Sequence, residues 1–509
     1  METEMKSKFM TAVAIAALVT AAGAVSAEAK TKKVKHAKAP APVAAPVVKG
    51  PAVEGPSRLD AFVTTGDALA FLTDSRDISW NGVTIFGALD FGAGWMAHAT
   101  DLEKTVPQGQ AYLGSRNNQH NSGFRFMPGG LGYNQVGIKG AWTIAEGTKF
   151  IFNATTNFDP YTLSLLDGPR SLQRAAGKYQ NAYPYFDSDS SRGGQPFNNE
   201  LYAGFKNDTF GQLTFGRHTN MVAESTGNFD PLKNAVALSL IGFSGSLASG
   251  GTTEAGKLDN SLKYKVAYGP VYGGAMVTLA DSQGVASQGV SYGFNLGGTY
   301  AGFALDGAYQ HTTDAIALGA IPNASGTVNG VSVANATAAA NGWLVGTLSD
   351  NDAFSIGTKY TWTQWTGFFG YENISQTNAT DRKAVSSTTS YYDGNDYRYF
   401  ITTANPFPHT KHIDLFWGGV SYAYSDKLTL TGAYYHAEQN AYGTTKCSTP
   451  TNGNCSGNYD VASFLTQYAF NKRMQVYGGV SYSAATGGFG ANWNERVNWN
   501  PMVGFRMTF

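Results

Sequence analysis

Only 14% of the 509 residues are charged, against roughly a quarter in ordinary soluble domains. Basic and acidic residues balance at 36 each, which excludes a general nucleic-acid binder. Beyond the amino-terminal leader no apolar run reaches the ~20 residues that a bilayer-spanning helix needs. The mature chain therefore has no spanning helix: it is a soluble exported protein or a membrane protein built from strands. Two cysteines are too few for a disulfide scaffold. There is no Gly-Lys-Ser/Thr phosphate loop, no HExxH and no CxxC, and the eight histidines are scattered without a Ser/His/Asp pattern. No enzyme chemistry, cofactor or metal is implied.

What the chain has instead is glycine and aromatics: 61 Gly, 30 Phe, 28 Tyr and 9 Trp, with a mean hydropathy of −0.22. Many aromatics, few charges and near-neutral hydropathy are expected where alternate residues face lipid and water. At the amino-terminus, Lys6 and Lys8 precede the apolar run from Phe9 to Val19 and then Val25-Ser26-Ala27. This predicts a signal peptide over residues 1–27, cleaved after Ala27, with Ala24 and Ala29 as alternative sites. Residues 28–58 are rich in Lys, Ala, Pro and Val, and residues 1–58 hold nine Lys/Arg against four Asp/Glu. The composition reads as a basic periplasmic tether, either simply solvated or in contact with an anionic polymer such as peptidoglycan. It continues into an uncertain element, helix or strand, so that 28–81 precedes the main domain at 82–509. Cys447 and Cys455 fall in a Gly/Ser/Thr/Pro/Asn-rich loop, and in an exported protein they predict one disulfide.

From Gly82 onward a period-two pattern recurs. Val83, Ile85, Leu89, Phe91 and Trp95 share one face, while Thr84, Asp90 and Gly92 share the other. Sixteen such strands can be read, ending with Pro501–Phe509, where Val503, Phe505, Met507 and Phe509 alternate with Met502, Gly504, Arg506 and Thr508. Short and long connections alternate strictly. The long ones are 97–132, 159–198, 218–258, 281–290, 312–351, 375–411, 437–458 and 484–500. All long loops therefore lie at one end. The fold class is all-β: a transmembrane antiparallel β-barrel of about 16 strands, with every backbone group paired as lipid demands.

Several segments resemble trimeric Gram-negative general-diffusion porins. Gly82-Val83-Thr84-Ile85-Phe86-Gly87-Ala88-Leu89-Asp90 resembles their opening strand, and Asn134-Gln135-Val136-Gly137-Ile138-Lys139-Gly140 their second. Gly147-Thr148-Lys149-Phe150-Ile151-Phe152 is similar to the third, and Gly211-Gln212-Leu213-Thr214-Phe215-Gly216-Arg217 to the fifth. With the closing strand, the resemblance spans 82–509. It implies an outer-membrane, water-filled channel for passive diffusion of small hydrophilic solutes, assembled as a homotrimer among outer-membrane lipid and lipopolysaccharide. The terminal aromatic Phe509 is then part of the signal read by the insertion machinery. A sugar-specific channel and a non-conducting adhesive barrel are the competing readings.

In that family the third long loop folds inward, its acids facing a basic wall. Here this loop is 218–258, with Glu224 and Asp230 as the candidate acids and an apolar stretch over 235–243 to pack on the wall. Parity assigns Lys139, Lys206, Lys263 and Lys265 to the inner face, since a charge facing lipid near mid-membrane costs ~2–4 kcal/mol. Arg217, assigned to the basic wall, breaks parity at its strand's end, where either a bulge turns it inward or the interface solvates it. Asp90, Glu200, Asp306 and Glu372 are inner acids by the same test, and the mixture predicts at most a mild preference for anions. Trp95, Trp142, Trp362, Trp365, Tyr371, Trp417 and Tyr434 read as interface girdles.

Overall fold

The structure is a computed structural model that describes residues 74, 76–97, 122–158, 160, 163, 196–241, 256–278, 290–319, 326–328, 331–333, 344–378, 380, 390–393, 397–403, 407–443, 454–489 and 496–509. Sixteen strands form the wall. They are β1 Val83–Met96, β2 Gln135–Ala145, β3 Thr148–Asn157, β4 Glu200–Asn207, β5 Gly211–Thr219, β6 Lys257–Tyr268, β7 Val271–Thr278 and β8 Ser291–Tyr300. The second half comprises β9 Phe303–Gly319, β10 Leu344–Trp362, β11 Trp365–Asn378, β12 Lys411–Ala423, β13 Leu428–Gln439, β14 Gly457–Ala469, β15 Met474–Ala485 and β16 Val497–Thr508. Each pairs antiparallel with its sequence neighbours. β16 returns to β1, from Ala88↔Thr508 to Gly94↔Met502, and the barrel is closed. Phe509 completes the seam, exchanging backbone hydrogen bonds with Gly87 at 3.0 and 3.1 Å.

Alternation gives the wall its two faces. Ile85, Ile138, Phe205, Phe215, Leu262, Phe294, Ile356 and Phe464 are exposed on the outside. The short turns need tight reversal: Ala301 and Gly302 both take positive φ (50° and 84°), the pairing that a two-residue hairpin with right-handed strand twist requires. Outer-face acids near the long-loop end are tied to neighbours. Asp414 accepts from the Tyr371 hydroxyl at 2.6 Å, and Asp460 lies 2.6 Å from His436 Nδ1.

Two features depart from the sequence reading, and a third falls where it left helix or strand open. β9 and β10 stay paired to Gly319↔Val345, beyond the stretch with alternating hydropathy. Above the membrane both faces are wet, so nothing enforces period two there. The first long connection contains a strand, Gly123–Pro128, that pairs with the upper half of β1. Residues 59–73 lie outside the described residues, but Ile78–Trp80 is a strand paired to Val83–Ile85. Arg473, in the β14–β15 turn, donates to the Arg76 carbonyl at 2.7 Å and pairs with Asp77 at 3.1 Å. The segment leading to β1 is thereby clasped at the short-turn end.

Candidate channel constriction

After β5 the chain turns into the barrel as a short helix, α1 Met221–Phe229. Asn220 caps it, its side chain accepting from the Ala223 amide at 2.7 Å, and Glu224 lies in the first turn, where a carboxylate is favoured by the helix dipole. The inner wall pins α1 from several sides. Ser225 donates to Asp306 of β9, Gln310 accepts from the Met221 amide, and Lys359 of β10 donates to the Asn228 carbonyl at 3.0 Å. Trp417 of β12 donates to the Phe229 carbonyl at 3.0 Å.

The chain then runs on as an apolar strap. Ala235, Val236, Leu238 and Leu240 are 0% exposed, packed with Ile374, Ile413, Leu415, Tyr435, Val461 and Leu465 on the inner wall. Each fully buried aliphatic side chain contributes about 1.5–3 kcal/mol. Ser463 adds a hydrogen bond to the Leu238 carbonyl at 2.6 Å. The predicted packing of the stretch over 235–243 is thus seen for 235–241; 242 and 243 lie outside the described residues.

Glu224 and two of the expected lysines come together. One Glu224 oxygen accepts from Lys263 at 2.6 Å and the other from Lys265. Burial alone would push the Glu224 carboxyl up, but the two ammonium groups outweigh it and draw it down to about 2. Lys263 is buried and also donates to the Thr219 carbonyl at 2.7 Å, whereas the Lys265 side chain is 41% exposed. Beside them Glu200 accepts from the Thr219 hydroxyl at 2.6 Å and lies 3.5 Å from Lys257. His218 bridges Thr214 and Ser261 and stacks on Tyr202 at 4.8 Å. A cavity of about 220 Å³ opens among Glu200, Tyr202, Gln212, Glu224, Lys263 and Lys265.

The other candidates lie elsewhere. Asp230 is a correction: it is 1% exposed and faces no lysine. It accepts from Tyr435, from Ser239 at 2.7 Å, and from the amides of Asn234 and Leu232 at 2.7 and 3.2 Å. Burial holds its carboxyl above the usual range despite these donors. A carboxylate at the end of a helix folds its own loop before it can face water. Arg217 is the second correction. The bulge at Gly216 (φ 137°) leaves it 4% exposed, bound to Asp259 at 2.9 Å and to the Asn198 carbonyl at 2.8 and 3.0 Å, away from any solute. Trp417 is the third, buried at the helix end rather than in a girdle.

Lys139 stays exposed on the inner face, 5.0 Å from the Phe86 ring centroid, two strands from Tyr202. Lys206 lies on the same face at the short-turn end, opposite Lys149. Lys149 and Lys359 were missed, although parity marks both: each alternates with outward aromatics, Phe150 and Phe152 for one and Phe354 and Tyr360 for the other. Cys455 is buried and disulfide-bonded; Cys447 lies outside the described residues.

A family model described as Gram-negative porin matches residues 14–488. No curated protein sequence matches the chain. Among solved structures, the anion-selective porin from Comamonas acidovorans shares 12% identity at a TM-score of 0.54, over 84% of this chain and 99% of that one. In-vitro folded OmpT of Vibrio cholerae shares 13% at 0.50, over 85% and 99%. Its trimer form gives 13% at 0.50, over 84% and 99%. At such identities the likeness is one of fold.

Proposed function

We propose that this chain, which belongs to the Gram-negative porin family, forms a channel that favours anions. It is an outer-membrane β-barrel for passive diffusion of small hydrophilic solutes, and proteins of this family and fold are typically channels without catalysis. Electrostatic sorting in such a pore depends on which charges reach its water. One observation carries the preference: three of the four acids assigned to the inner face are hidden, while Lys139 is exposed and Lys265 partly so. Asp90 and Glu372 are 0% exposed and Asp306 1%, with Asp90 held by Arg506 and Tyr477. Glu224 is shared by Lys263 and Lys265, and Lys139 is exposed without an acidic partner among the described residues. Glu224, Lys263 and Lys265 together carry one net positive charge, and Glu200 beside them is offset by Lys257 at 3.5 Å. The Comamonas acidovorans relative of the same fold is an anion-selective porin.

The test is the zero-current potential of the refolded protein in a planar bilayer across a potassium chloride gradient. An anion-side potential is expected. A cation-side potential would overturn the preference, and a protein with no unitary conductance would favour the adhesive barrel. A homotrimer is the expected assembly, in keeping with the trimer form of OmpT. The clasp of residues 76–80 at the short-turn end supports the reading of 28–58 as a basic periplasmic tether touching an anionic polymer such as peptidoglycan. Sedimentation of the full chain with purified peptidoglycan, lost on removing residues 28–58, checks it.

A further inference from the structure

Following the pairing register sideways from Lys265 brings out a row of inner-face positions. Lys265 of β6 pairs with Gln212 of β5, Gln212 with Lys206 of β4, and Lys206 with Lys149 of β3. Residues directly opposite in antiparallel pairs share a face. Lys265 reaches Glu224 inside the barrel, so the whole row faces the lumen. Lys149 and Lys206 flank the β2–β3 and β4–β5 turns, at the periplasmic rim.

Like charges directly opposite each other destabilise a sheet. Lys149 and Lys206 nevertheless occupy such a pair, and neither makes an ion pair among the described residues, although Glu146 and Asp208 sit in the adjacent turns. Both remain partly exposed. Two lysines at directly opposite positions one strand spacing apart, with a glutamine and a third lysine along the next ~10 Å, suit an anion with several charged oxygens. A monovalent ion neutralises one partner and leaves the other.

We propose that Lys149, Lys206, Gln212 and Lys265 form a retention site for multivalent oxyanions of the phosphate type at the periplasmic exit. The proposal rests on the anion-preferring reading and adds a place where such a solute pauses. Lys265 links the two regions, with one side toward the constriction and the other toward the rim. Solutes pass from the Lys263–Glu224–Lys265 group to a rim that carries no paired acid.

The experiment uses the refolded full barrel in a planar bilayer, with inorganic phosphate at pH 8 titrated against the chloride current. Native protein should show saturating block. In the K149Q/K206Q variant the half-blocking concentration should rise by about tenfold, and in K149R/K206R it should return toward the native value. The variants are first checked for heat-modifiable gel mobility, so that only folded barrels are compared. Phosphate that gives no saturating block of the native channel overturns the site, as does equal block of native and K149Q/K206Q. The zero-current potential in potassium chloride separates the two readings: an anion-side potential without phosphate block leaves the preference standing and removes the site. A cation-side potential removes the reading beneath it.

Discussion

The inner wall of this barrel has a wet half and a dry half. Across β2–β6 it carries Lys139, Lys149, Lys206, Lys263 and Lys265 with Tyr202, Gln212 and Thr214, and only the start of the inward loop touches it, through Glu224 and Met221. Across β11–β15 it presents Ile374, Ile413, Leu415, Trp417, Tyr435, Val461 and Leu465, covered by the strap at 235–241. One loop serves both. Its helical half is attached by the Glu224 ion pairs together with hydrogen bonds and buried Met221, Val222 and Phe229, and its later half chiefly by exclusion of water. The ion pairs weaken with salt and leave Lys265 partly exposed, while the apolar strap holds the loop in place whatever the ionic strength.

The largest effect should follow from attacking the dry half. Leu238→Asp puts an unpaired charge at a site with no solvent access, a cost that the loop avoids by leaving the wall. Unitary conductance should rise sharply while the barrel keeps its heat-modifiable mobility, because no wall strand is altered. Unchanged conductance in a folded Leu238→Asp channel would mean that the strap does not set the constriction.

Asp230→Ala should act in the same direction but less strongly. It removes the acceptor for Tyr435, Ser239 and two backbone amides, and each buried donor left unsatisfied costs about 1–3 kcal/mol. The aliphatic contacts of 235–241 persist, so the loop should loosen without departing. Conductance noise and protease cleavage within the loop should both increase, with mean conductance changed less than in Leu238→Asp. An effect as large as that of Leu238→Asp would make Asp230, rather than the strap, the main anchor.

The same contrast explains what was legible in the sequence. Where one face of a strand is wet and the other meets lipid, parity is sharp, and it assigned Lys139, Lys206, Lys263 and Lys265 to the inner face. In the dry half the inner face is apolar too, as Ile413, Leu415 and Trp417 show beside outward Phe416, so hydropathy no longer separates the faces and Trp417 was read as a girdle residue. The sixteen strands and the loop rhythm were visible because backbone pairing in lipid forces them. The roles of Asp230 and Arg217 were not, since they depend on a loop's own hydrogen bonds and on one bulge at Gly216. The basic row at the rim was invisible for another reason. It exists only once the register is known, because Lys149, Lys206 and Lys265 are distant in the chain and adjacent only across strands.

The smallest expected effect probes the wet half. Glu224→Gln removes the acid shared by Lys263 and Lys265, and opposite charges in a water-filled channel interact by only ~1 kcal/mol at 4 Å. Barrel stability and conductance should hardly change, while the zero-current potential should move further to the anion side. The pH dependence then identifies the group. Its carboxyl lies well below the ordinary value, at about 2. The contribution of its ionised form is therefore fully present above the ordinary carboxylate range, and is lost only as pH falls through about 2. The difference between native protein and Glu224→Gln should thus stay constant from about pH 7 to pH 4 and close below about pH 3. A difference that vanished already near pH 4.5 would mean that Glu224 titrates like a solvated carboxylate. The two lysines would then not hold it, and the wet half would owe its charge to some other group.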